Sequence, residues 1–166
     1  MIYTNIKKEY SIELIEEHEE VNFYSLHMKD EELSELEKFF EKFPIDSIYD
    51  NDIDVIIAWM DKIGERGALE RYFRNEGYYG EGLTAIPIET SKLRLYCIRV
   101  SDKILIFGNG DIKNVRSWQE SDKLASYVKI LRNTFRYIKS RIANGTVVIS
   151  GKELTGDLNF CEYEKE

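Results

Sequence analysis

Side chains able to do chemistry are few in kind and unevenly placed along this chain. Its two histidines, His18 and His27, and its two cysteines, Cys97 and Cys161, are the natural metal ligands and nucleophiles. Neither pair has the close spacing that sets ligands on one face of a turn or hairpin, so no metal is expected, and no organic cofactor either. The cysteines read as small apolar groups in a reducing compartment. The run Gly108-Asn109-Gly110-Asp111 suits a turn at positive φ that ends a strand. It lacks the Lys-Ser or Lys-Thr pair and the helix of a phosphate-cradling loop. Carboxylates are abundant, but they gather on predicted helix surfaces where solvation is their ordinary role, which disfavours glycosidase chemistry.

Cations are the more informative group. Residues 113–141 hold 8 bases and 2 acids, whereas residues 1–54 hold 5 bases and 16 acids, within a chain of formal net charge −8. The whole molecule therefore repels a polyanion or a phospholipid surface, while one segment attracts it. Lys129, Arg132, Arg136 and Lys139 fall off the apolar stripe of a long predicted helix and form a candidate binding face for an anion or an acidic partner. The plainer reading is a solvated basic face. Complementary halves also suit self-association as a homodimer, which salt would weaken.

The elements that must position these residues follow from periodicity. The length of 166 residues favours a single domain, 1–166, with 43% hydrophobic residues and only two prolines against disorder. The longest unbroken apolar run, 55–60, is far short of the ~20 residues of a membrane span. No basic-then-apolar leader is visible, so a cytoplasmic location and no membrane partner are expected. Alternation predicts strands over 10–16 and 21–28, joined by the acidic 16–20. A helix is predicted from Asp30 through Leu33, Leu36, Phe39 and Phe40 to a stop before Pro44, and a second from Asp52 to Gly64. A short helical piece over 68–74 leads into the glycine-rich 77–82, the segment expected to be most mobile, and Pro87 assigns 83–88 to a sheet edge. The strongest strand signal is 93–98 followed by 103–107, a hairpin with Leu93, Leu95 and Cys97 on one side and Arg94, Tyr96 and Ile98 on the other. Ser121 or Asp122 caps the long helix, Asn144-Gly145 ends it, and 146–149 is a further strand. The acidic tail after Gly156 is expected to be partly loose. The result is an α+β fold: an antiparallel sheet against three main helices, with an extra N-terminal strand pair and a C-terminal strand.

The order strand, helix, helix, three strands, helix over 10–142 resembles the RelE/HigB-type toxins of bacterial toxin–antitoxin systems. The local likeness lies in Leu93-Arg94-Leu95-Tyr96-Cys97, then Ile104-Leu105-Ile106-Phe107-Gly108, then Ile112-Lys113. The core would be about 10–142, with 143–166 a C-terminal extension ending in the acidic tail. The resemblance implies a metal-independent RNA endonuclease acting on messenger RNA at the ribosome and restrained by an antitoxin protein. Such cleavage needs cations for the developing phosphorane and groups that move protons. Carried over by position, Arg94 is the phosphate clamp, Lys113 a second cation, and Tyr96 a base-stacking or proton-donating ring. Asn114 stands where the family usually has a second lysine. Read without the resemblance, the same fold serves a non-catalytic module that binds an acidic partner or itself.

Overall fold

A computed structural model describes residues 5–75, 82–86 and 92–165. Strand β1 spans Asn5–Glu17 and β2 spans Asn22–Met28. Helices α1, Glu35–Glu41, and α2, Asp50–Arg66, follow. Strands β3, Arg74–Asn75, and β4, Leu83–Ala85, precede the hairpin of β5, Leu93–Ser101, and β6, Ile104–Ile112. Helix α3, Asp122–Ala143, leads to β7, Val147–Ser150, β8, Glu153–Gly156, and β9, Asn159–Lys165. Seven strands form one sheet in the order β3-β4-β5-β6-β2-β1-β9, and β7 and β8 form a second, small one. Every described pairing is antiparallel except β2 with β6, which is parallel, the chain between them running through α1, α2 and strands β3 to β5. The fold is thus α+β, as the sequence predicts.

Period-two alternation puts apolar groups on both faces of the central strands, and each face is covered. Leu93, Leu95, Cys97, Leu105 and Phe107 meet Leu36 and Phe39 of α1 and Ile53, Ile56, Met60 and Ile63 of α2. Tyr96, Ile98, Ile104 and Ile106 meet Leu124, Val128, Leu131 and Ile138 of α3, with Val147 and Leu154 of the small sheet beside them. Acid-rich helices therefore lie on one side of the sheet and the base-rich helix on the other. Among the described residues, no helix is long and apolar enough to cross a membrane.

Several local expectations are corrected. Helix α1 begins at Ser34, not Asp30. The Ser34 hydroxyl accepts from the Glu37 amide and the Glu37 carboxylate accepts from the Ser34 amide, a reciprocal cap, while Asp30 sits at φ 65 in the preceding turn. Only a 3-10 turn over Glu70–Tyr72 forms where a helical piece over 68–74 is expected. Strand β4 is second from the edge, covered by the two residues of β3. Pro87 and 77–81 lie outside the described residues.

The most consequential corrections concern the two glycine-flanked segments. Residues 108–111 do not turn, because β6 runs through them to Ile112 and neither glycine has positive φ. Leu95 faces Gly110 while Cys97 faces Phe107, so β6 carries an extra residue, a bulge. A methyl group at Gly110 would run into the Arg94 carbonyl, so glycine is there for close backbone approach. The acidic tail is no loose end either. As β9 it pairs with β1 from Ser11↔Asn159 to Asn5↔Lys165, placing the C-terminal segment in the main sheet.

Candidate functional site

The β5–β6 ladder sets the place of each residue the resemblance selects. Arg94 lies opposite Asp111, on the face covered by α3, and is only 9% exposed; its Nη1 donates to the Leu93 carbonyl at 2.9 Å. Tyr96, two residues on, is 0% exposed in the core under α3, because alternation from Arg94 points it the same way. Its ring is thus packed inside the core, away from solvent. Lys113 is half-buried just past β6, its amide donating to the Lys92 carbonyl at 2.6 Å. The three described cavities are lined by none of Arg94, Tyr96 and Lys113.

What the bulge does build is a cluster the sequence did not reveal. Lys42, at the C-terminal cap of α1, donates to Asn109 Oδ1 at 2.8 Å, the Gly110 carbonyl at 2.7 Å and Tyr127 Oη at 2.9 Å. An ammonium has three protons, and three acceptors are met. Lys42 also lies 3.4 Å from Asp111 and 4.7 Å from the Tyr127 ring centroid. Asp111 is joined by Lys123 at 2.7 Å and accepts from the Ile112 amide. Burial alone would raise its pKa, but the Lys123 and Ile112 hydrogen bonds and the Lys42 charge together hold the carboxyl below the usual range. The cluster is structural, with both ammonium groups engaged by Asp111: it ties both helical layers to one end of the sheet. The Gly-Asn-Gly-Asp run was its only sequence signal, since Lys42 and Lys123 are brought in from distant helices.

Helix α3 presents a different surface. Lys129, Arg132, Arg136 and Lys139 recur at helical spacing beside the buried stripe; all are exposed except the half-buried Arg132. Lys139 lies 4.8 Å over the Phe135 ring, and among the described residues Lys129 and Arg136 join no ion pair. Asp122, in the first turn, is the helix's single acid, so nothing along the stripe itself neutralises it. Lys129 also borders a cavity of about 600 Å³ between α3 and the ends of β1 and β2, where the carboxylates of Glu9, Asp30, Glu31, Glu35 and Glu162 are among the walls.

A second polar group lies at the end of β2. His27 Nδ1 is 2.7 Å from a Glu13 carboxylate oxygen and Nε2 is 2.6 Å from the Glu31 carbonyl. Both neighbours are acceptors, an arrangement that favours the doubly protonated ring. Its pKa is raised, first by the Glu13 hydrogen bond and then by the Glu31 carbonyl, against a smaller burial effect. Among the described residues no group of His, Cys, Asp and Glu is placed to hold a metal ion.

Together these features define a three-layered α+β protein in which Lys129, Arg136 and Lys139 stand exposed on the outer side of α3. No protein-family model, curated protein or solved structure matches the chain.

Proposed function

We propose that the protein is a non-catalytic recognition module of toxin-like architecture, whose working surface is the outer face of α3 and whose partner is acidic. One observation carries this: among the described residues, Lys129 and Arg136 stand exposed without ion pairs two turns apart on one helix, whereas Lys29, Lys38, Lys42, Lys123 and Arg141 are engaged by carboxylates. Unneutralised cations on a rigid helix cost little reorganisation when an anion arrives and speed its encounter. Burial of Arg94 and Tyr96 favours binding over cutting. The test is fluorescence anisotropy with a labelled poly-glutamate peptide. Binding should weaken at least about tenfold in Lys129→Glu/Arg136→Glu with the circular dichroism unchanged, and an affinity untouched by the reversal would overturn the reading.

A metal-independent ribonuclease of the RelE type, with its antitoxin, is the second reading. The order β2-α1-α2-β3-β4-β5-β6-α3 favours it apart from the extra two-residue strand β3, as does the Arg94-bearing strand running into the apolar β6. It requires RNA cut in the presence of a chelator and cutting lost in Lys113→Ala. Arg94→Ala is a poor probe because so buried a side chain also supports the fold. Intact RNA under those conditions leaves the binding reading alone.

A further inference from the structure

We propose that the acidic partner of the α3 face is a second copy of this chain, docked through the loop 42–49 between α1 and α2. This rests on the preceding reading and names its partner. Two isoleucines of that loop, Ile45 and Ile48, are 85% and 90% exposed. Two large apolar side chains so bare and so close in sequence offer the apolar element of a contact surface. Exposed Glu41, Asp46 and Asp54 surround them in sequence, with the partly buried Asp50 and Asp52 between, and no base occurs from Phe43 to Asp61. Lys42 offers no relief, its protons being held by the cluster at the β6 bulge.

Tertiary structure decides where this acidic, apolar-tipped loop can find its complement. Helices α1 and α2 cover one face of the sheet and α3 the other. Among the described residues, no ion pair joins Glu41, Asp46 or Asp54 of this loop region to Lys129 or Arg136 of the stripe within one molecule. Between molecules such pairs can form, and the match of unlike surfaces makes the contact head-to-tail, extending to rings or open chains rather than stopping at a two-fold dimer. Ionic attraction would orient the approach, and the isoleucines would supply the apolar centre that ion pairs on a surface lack.

Light scattering coupled to size exclusion tests this on the whole chain. The wild type should exceed its 19.6 kDa monomer mass, increasingly with concentration, at about 0.01 M salt, and return to monomer near 1 M, where the screening length falls from ~30 to ~3 Å. Lys129→Glu/Arg136→Glu keeps the acidic loop, and Asp46→Lys/Ile48→Ser keeps the basic stripe; all four sites are exposed. Each variant alone should be monomeric, and an equimolar mixture should form a one-to-one complex of twice the monomer mass and nothing larger. A wild type that stays monomeric at low salt, or a mixture that does, overturns the proposal. Poly-glutamate binding on the same samples separates the failures: if it persists, only self-docking falls, and if it is also absent, the acidic-partner reading falls with it.

Discussion

The ammonium of Lys42 stands 2.9 Å from the hydroxyl of Tyr127, joining the C-terminal cap of α1 in one helical layer to the second turn of α3 in the other around the end of the sheet. Because the same nitrogen also meets Asn109 and Gly110, it stitches the β6 bulge to both helices at once.

Lys42→Met keeps the stem but removes every one of these bonds, leaving Asn109 and the Gly110 carbonyl short of a donor. The expected loss is about 1–3 kcal/mol, read as a lower urea midpoint at an unchanged slope. A loss below ~0.5 kcal/mol would show that the cluster does not hold the layers together.

Gly110→Ala should be far more damaging than Gly145→Ala. At Gly110 the added methyl meets the Arg94 carbonyl, a backbone atom in the middle of the β5–β6 ladder; at Gly145 nothing lies within 4 Å and only φ +82 opposes the change. Poor expression or a stability loss beyond ~3 kcal/mol is expected for the first and about 1 kcal/mol for the second. Equal effects would mean that the bulge can relax.

His27 couples stability to pH. Its folded-state pKa is raised above the usual 6.5 by Glu13, then by the Glu31 carbonyl, with a smaller contribution from Glu37. The imidazolium therefore contributes stability in full below about pH 6.5, and that contribution is lost as pH climbs through the raised value. Asp111 and Glu37, lowered from ordinary carboxyl values, and Lys38 and Lys123, raised from 10.5, titrate outside this window. Denaturation midpoints should fall from about pH 6 to pH 9 in the wild type and fall less in Glu13→Gln; matching pH profiles would remove His27 from the argument.

The apolar stripe of α3 is narrower than its sequence suggests. Leu131 is fully buried, close enough to β6 that a methyl at Gly108 would collide with it, whereas Ile142 is 38% exposed. Leu131→Ala should cost about 2–5 kcal/mol and Ile142→Ala within ~0.5 kcal/mol, by thermal or chemical melts. A large effect at Ile142 would place the end of the helix in a contact the isolated chain does not form.

Local sequence determined most of the elements. Alternation in 93–107 and the 3.6-residue recurrence in 53–63 and 124–138 are backbone periodicities, so they are legible wherever one face is buried, and the Ser121 cap is likewise local. The sequence also displayed the opposed charges of residues 1–54 and 113–141 and the basic stripe. Other matters required distant partners. The run 108–111 carries turn residues, yet pairing with β5 keeps it extended, because backbone hydrogen bonds across the ladder outweigh local preference. The polar tail becomes β9 only because the edge of β1 is open to it. Tyr96 and Arg94 could be assigned to one strand face from alternation, but whether that face met solvent depended on where α3 came to lie. Burial is a property of the whole packed chain, and it was packing that closed over the residues the sequence had singled out and left the outer side of α3 in the open.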